Sequence, residues 1–347
     1  MTALGPITVR RVYFTCFACG VGRHPADAAL GVDGLLTTQA TRLVCLAGGQ
    51  RSFANAELLP TELCGWHVSD ERIRRACHAE AEHIAAWRAE PTGPTLPPSS
   101  HPLEFQVDAT KVNTDTGWRD MKIGVFARRP LGPPSSPDQW DQRTLPKPTA
   151  RLAFAAVEEI DRFAPRRGVW AARLGLTSFG RLSVLGDGAE WIWNAADEQF
   201  PGSRGVLDFF HAAQHPGTAA DGLFGAADAP RRTWYDAARG VLLRDGWYGR
   251  QEHLGRTLSE PVSEAGRAAV DELVAYLASH SNRLNYRHRL AKGEPIGSGL
   301  IEGACKQVIG KRMKQTGARW TVPNANRMAE LCCLTYSDQW ADYWNAA

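Results

Sequence analysis

Leu182-Ser183-Val184-Leu185-Gly186-Asp187-Gly188 is the stretch on which the fold turns. Its apolar residues make a short buried strand that runs straight into Gly-Asp-Gly. The glycines let the backbone turn sharply and leave Asp187 at the strand's carboxyl end. Upstream, Glu104-Phe105-Gln106-Val107-Asp108 reads as a strand ending in an acid, and Met121 to Arg128 as its hairpin partner across Asn113 to Asp120. A Pro/Ser-rich loop from Pro130 to Pro148 leads to a third apolar run, Ala150 to Val157, and then to a helix from about Glu158 through Leu174. Downstream, Trp191 and Trp193 open another helix, and Gly205 to Leu207 is a fifth short strand just before Asp208.

The order is therefore a three-strand meander, a helix, a strand, a helix and a strand. This is the ribonuclease-H-like order of an α/β fold: a mixed sheet, meander plus parallel strands, with helices on its faces. In that topology the first and fourth strands are neighbours, so Asp108 and Asp187 meet at one end of the sheet. Two carboxylates converging there repel unless a cation sits between them. Each aspartate taken alone is equally a turn-former or a helix cap.

Beyond Asp208, His211 and His215 stand at i and i+4 on one helix face. Imidazole and carboxylate both suit divalent metals, and the same pair also serves as the wall of an active site. Residues from about Ala219 to Tyr286 read as an all-α insertion. Then comes Pro295-Ile296-Gly297-Ser298-Gly299-Leu300-Ile301-Glu302-Gly303. Ser298 is placed to cap a helix running to about Met313. Glu302 is its one early carboxylate, followed only by Lys306, Lys311, Arg312, Lys314 and Arg319. An acid among bases suits a divalent metal with phosphates held nearby, although a capped helix with a solvated charged face reads the same way.

At the amino-terminal end, Ile7 to Phe14 alternate as a strand would and deliver Cys16-Phe17-Ala18-Cys19-Gly20. Cys16 and Cys19 are two of the four ligands that a structural Zn²⁺ needs, and the following residues add only His24 and Asp27. Helical segments follow at Thr38 to Ala47, at Ser52 to Leu63 and from Ser69 onward. The glycine turn before the third suits a helix-turn-helix, with Arg72, Arg74 and Arg75 facing DNA; a plain small bundle has the same pattern. The prolines of 91–102 mark a linker. The expected divisions are 1–34 (strand and partial zinc knuckle), 35–90 (helical DNA reader), 91–102 (linker), 103–215 (first part of the catalytic core), 216–290 (insertion) and 291–347 (the Glu302 helix and terminal helices).

The chain's 347 residues suffice for a sizeable core, and its net charge of +3 is too small to name a partner, so only a local basic cluster can do so. No apolar run approaches the roughly 20 residues of a membrane span. The eight cysteines are too scattered to be a disulfide framework in a chain of this size, which suits a reducing, cytoplasmic setting.

Three blocks carry a family likeness: Val184 to Asn194, Leu207 to Ala212, and Gly297 to Gly303 through Lys311-Arg312-Met313 to Gly317-Ala318-Arg319-Trp320. They resemble the ISKra-type bacterial insertion-sequence transposases, DDE enzymes related to the Mutator-like group. The likeness spans nearly the whole chain, including Cys16-x-x-Cys19-Gly20 with Pro25 and Asp27. It implies a catalytic set of Asp108, Asp187 and Glu302 holding Mg²⁺ or Mn²⁺, with Trp191, Asp208, His211 and His215 nearby. It also implies DNA cleavage and strand transfer at terminal inverted repeats and into target DNA, by a homo-oligomer on paired ends, in the bacterial cytoplasm at the nucleoid. Ala109 stands where the family tends to have glycine, only half of a knuckle is present, and Val322 to Arg327 differs in wording. Other readings of the same residues are a catalytically impaired DNA-binding descendant, a ribonuclease-H-like nuclease that never joins ends, and a zinc hydrolase using His211 and His215.

Overall fold

A computed structural model describes residues 1–33 and 35–346. The division expected at Gly34 lies outside the described residues. The central sheet is built by β1 (Leu103–Thr114), β2 (Gly117–Arg128), β3 (Ala150–Ala156), β4 (Ser183–Gly186) and β5 (Arg204–Leu207). Its spatial order is β3-β2-β1-β4-β5, with an antiparallel meander of the first three strands and β4 and β5 parallel to β1. The fold is α/β with a mixed sheet, and the first and fourth strands are neighbours.

Around the sheet lie α1 (Thr38–Gln50), α2 (Asp70–Ala89), α3 (Ile160–Arg173), α4 (Glu190–Gln199), α5 (Phe209–Phe224), α6 (Asp228–Ser259), α7 (Glu264–Ser279), α8 (Gly299–Ala304) and α9 (Val322–Tyr336). Strand side chains alternate between the two faces. Phe105, Phe126 and Phe154 point to one face and pack with Phe163 of α3, Ile192 of α4 and Leu273 of α7. Ile123, Val125 and Ala153 point to the other, against Val44 of α1, Ile73 of α2 and Met328 of α9. The helices before the proline-rich stretch thus share a core with the sheet. Phe105 sits 4.6 Å from Phe126 and 5.3 Å from Phe200, ring centre to ring centre. Losing one such ring to alanine costs about 3–5 kcal/mol.

Four expectations are corrected. β1 does not end at Asp108 but continues to Thr114, held across the hairpin by Lys111 and Asp120 at 2.9 Å, so Asp108 lies mid-strand. The segment from Ser52 to Leu63 is two helices, Phe53–Ala56 and Leu58–Cys64. The break falls at Glu57, three residues ahead of Pro60, which has no N–H to bond the carbonyl of Ala56. Residues 7–13 form no strand; Ile7, Val9 and Val12 are exposed, and the alternating run has no sheet to join. Finally, α5 passes unbroken through residue 216, so the insertion begins inside a helix.

Arg167 of α3 is fully buried, and no nitrogen of its guanidinium has a hydrogen-bond partner among the described residues. It lies 5.7 Å from the Phe105 ring centre and 5.6 Å from that of Trp191, and burial lowers its pKa to about 10. Cation–π contact offsets only part of the desolvation. Arg167→Met, similar in length, is expected to raise stability by about 1–4 kcal/mol. The check is a higher urea midpoint at unchanged m-value; a lower midpoint would show that the guanidinium supports the fold.

Candidate functional site

β1 and β4 pair in parallel with Gln106 opposite Leu185. Two residues further on, the same register sets Asp108 level with Asp187, which follows the last residue of β4. Asp187 Oδ1 accepts from the Ala189 N–H at 2.9 Å, and its carbonyl accepts from Trp193 Nε1 at 2.8 Å. Asp108 Oδ1 accepts from the Ala109 N–H at 2.7 Å, and Oδ2 accepts from the Cys305 thiol at 3.7 Å. Burial raises the Asp108 pKa; the Ala109 bond opposes this, while the charges of Asp187 and Glu302 push the same way. The charges of Asp187 and Glu302 thus both bear on Asp108. Glu302, on α8, is exposed and pairs with Lys306 at 3.6 Å.

Carboxylates are hard oxygen donors, the ligand type suited to Mg²⁺. Among the described residues, however, no three His, Cys, Asp or Glu side chains are drawn together closely enough to hold a metal. Cys305 was not marked by its sequence position. It opens a π-helical turn, Cys305–Gly310, directly after α8, and such turns recur at functional sites. Burial, reinforced by Asp108, pushes its thiol up to about 12, so it stays protonated and donates.

Asp208 is 2 % exposed and both its oxygens are engaged. Oδ1 caps α5 by accepting from the His211 N–H at 2.8 Å. Oδ2 accepts from the Ser298 N–H at 2.5 Å and from the Ser298 hydroxyl. Ser298 stands at the N-cap position of the Glu302 helix, as expected, but gives its hydroxyl to Asp208 and makes no side-chain cap bond. His211 and His215 lie edge to face at 5.7 Å, with His215 stacked on Tyr276. Tyr276 and His280 come from α7 and the residue that ends it, and they back the turn that carries Asp187. A side chain at Gly188 would meet the Tyr276 hydroxyl at 2.3 Å. Burial raises the Tyr276 pKa, with the charges of Asp187 and Asp208 adding to it. The insertion's contribution here was missed, although Tyr276 and His280 share an i,i+4 spacing. Trp191 lies over Arg167, and it is Trp193 that touches Asp187.

The basic residues divide. Lys311 is exposed; Lys314 Nζ donates to the Thr110 hydroxyl on β1; and Arg319 donates to the Asp115 carbonyl at 3.1 Å. Arg312 is corrected from a DNA contact to a core residue. It is 3 % exposed, lies 4.3 Å from the Phe53 ring centre and 4.9 Å from that of Trp320, and donates to the Gly48 carbonyl at 2.6 Å. Its flat guanidinium stacks between rings as lysine could not. On α2, Arg72 is exposed, while Arg74 and Arg75 both bond Glu71 at 2.7 Å and hold its carboxyl down at about 2.

His78, beside this cluster, is lowered to about 4 by burial first and then by Arg74, Arg327 and Arg312. An unfolded histidine titrates near 6.5. Between those values the unfolded chain takes up a proton that the folded state refuses, so stability present above pH 6.5 is lost on acidification. The expected result is a melting temperature that falls from pH 6.5 toward 4, with a smaller fall in His78→Gln.

Cys16 and Cys19 are exposed in the turn between the two-residue strands Phe14–Thr15 and Gly22–Arg23. The Cys19 and Ala18 backbone N–H groups lower the Cys16 thiol pKa. His24 bonds the Val12 carbonyl at 3.2 Å and Asp27 pairs with Arg11, so both of the other expected ligands have partners elsewhere.

Neither a protein-family model nor a curated protein matches the chain. No helix among the described residues is long and apolar enough to cross a membrane.

Proposed function

We propose that this chain is a DDE transposase of a bacterial insertion sequence, built on a ribonuclease-H-like core and resembling the ISKra type. One observation carries the reading: Asp108 and Asp187 stand level on adjacent parallel strands, and Glu302 is near enough for its charge to act on Asp108. Asp108, Asp187 and Glu302 would hold Mg²⁺ or Mn²⁺, which when bound supplies a Lewis acid that takes up charge on phosphodiester oxygens. Lys314, anchored on β1 at Thr110, puts a cation beside the Asp108 strand. Lys306, Lys311 and Arg319 extend the basic surface, and Arg72 offers a separate contact on α2. Such contacts position DNA without reading its sequence and weaken with salt. Terminal inverted repeats, target DNA and a homo-oligomer on paired ends complete the proposal; a Zn²⁺ at Cys16 and Cys19 would need ligands beyond His24 and Asp27.

The test is incubation of labelled element ends with a target plasmid and Mg²⁺. Joined products support a transposase. Nicks without joined products assign a nuclease instead. Binding without either assigns a DNA-binding descendant, a reading favoured by the pairing of Glu302 with Lys306 at 3.6 Å.

A further inference from the structure

The parallel strands β1, β4 and β5 all begin at the end of the sheet away from Asp108 and Asp187. A cavity of about 830 Å³ lies there, the size of a nucleotide pocket. Its walls carry Arg128 and Arg129 from the end of β2, Arg181 ahead of β4, Arg204 at the start of β5, and Arg289 and Lys292 from the short helix Tyr286–Ala291 and its end. Among the described residues two acids, Glu104 and Glu294, face them, and both are engaged. Glu104 pairs with Arg129 at 3.0 Å, and Glu294 pairs with Arg289 at 3.0 Å and Arg204 at 3.5 Å.

Arg128, Arg181 and Lys292 have no counter-charge among the described residues. Arg128 donates to the Ser99 and His101 carbonyls at 3.3 Å, which orients it without neutralising it, and its Nε is buried with no partner. Arg181 and Lys292 are exposed and form no ion pair among the described residues. Arg289 is 3 % exposed, and burial lowers its pKa to about 10, although Glu294 and Glu104 work against this. Crowded, partly desolvated like charges are unfavourable until an anion enters. A second cavity of about 350 Å³ shares Arg204, Arg289 and Glu294 and is bordered by Arg283 and His288, so the basic surface continues sideways.

We infer that this end of the sheet is a second anion site, separate from the carboxylates, that takes a ligand bearing two or more phosphate groups. Guanidinium forks match phosphate oxygens in pairs, and Lys292 adds a point charge at the rim. From Leu103 to Asp108 the strand spans roughly 16 Å at about 3.3 Å per residue, so a small oligophosphate held here does not reach the carboxylates. The phosphates belong either to a free oligophosphate or to a nucleic-acid backbone passing over this edge.

The experiment compares the full chain with an Arg181→Glu/Lys292→Glu double variant. Both positions are exposed, and the thermal melt serves as a folding control. Binding of inorganic pyrophosphate is measured by calorimetry, and binding of a fluorescein-labelled duplex by anisotropy across a salt series. The expected result is at least about a tenfold loss of affinity for one of the probes, with pyrophosphate binding unchanged in Asp187→Asn. Loss confined to pyrophosphate identifies a free oligophosphate as the source. Weaker duplex binding with a salt slope shallower by about 2 identifies a backbone. If the variant binds both probes as the parent does, or Asp187→Asn abolishes pyrophosphate binding, the proposal is overturned. Neither readout involves strand cleavage, so the outcome is independent of the catalytic assignment.

Discussion

Asp187→Asn is expected to lower Mg²⁺-dependent strand cleavage by on the order of 10³-fold while leaving DNA affinity and melting temperature unchanged. The substitution is isosteric, and an amide oxygen can still accept the Ala189 N–H bond that orients the side chain. The Trp193 bond goes to the backbone carbonyl and is untouched. What disappears is one negative charge from a set of three, and hard cations depend on that charge for affinity. Gel-resolved nicking over a Mg²⁺ titration, with anisotropy on the same duplex, checks both halves. Cleavage retained in this variant would remove Asp187 from the proposed set.

The second large effect belongs to Asp208. Asp208→Ala is expected to destabilise the chain by about 3–5 kcal/mol, because it leaves buried donors without their charged partner. One of them starts α5, and the others belong to Ser298 at the approach to Glu302. Asp208→Asn should recover only part of this, since its single amide oxygen can accept from the His211 N–H or from Ser298, but its N–H₂ cannot accept from the other. Ser298→Ala, which removes only the hydroxyl bond, should cost about 1 kcal/mol. Urea denaturation of the three variants reads the ordering. A cost below about 1 kcal/mol for Asp208→Ala would mean that Ser298 is held by other contacts.

The strand order was legible because each strand contains a short apolar run, though β1 and β2 extend well beyond theirs, and the register then follows from alternate faces having to be buried. Asp108, Asp187 and Glu302 could be singled out because each sits where an apolar pattern is interrupted. Arg312 could not be judged that way: whether an arginine on a basic helix meets solvent or two aromatic rings depends on Phe53 and Trp320, which are distant in the chain. Tyr276 escaped for the same reason, since its place beside Gly188 is a tertiary fact. The failure at residues 7–13 ran the other way, as local β propensity had no neighbouring strand to satisfy it.

The chain leaves the sheet at Phe209, whose N–H donates to the Ile296 carbonyl at 2.9 Å, and one residue earlier Asp208 grips Ser298. The segment between these points thus begins and ends at one place, although Leu273, Tyr276, Tyr286 and Arg289 also pack back onto the sheet. Lengthening such a closed excursion costs little in loop entropy, because its ends are already joined. Its outer part, away from those contacts, can therefore be enlarged or trimmed while Glu302 keeps its place, provided that Tyr276 still fills the space behind Gly188. Chain length and site geometry are in this way uncoupled, and descendants of this fold are free to vary the first without disturbing the second.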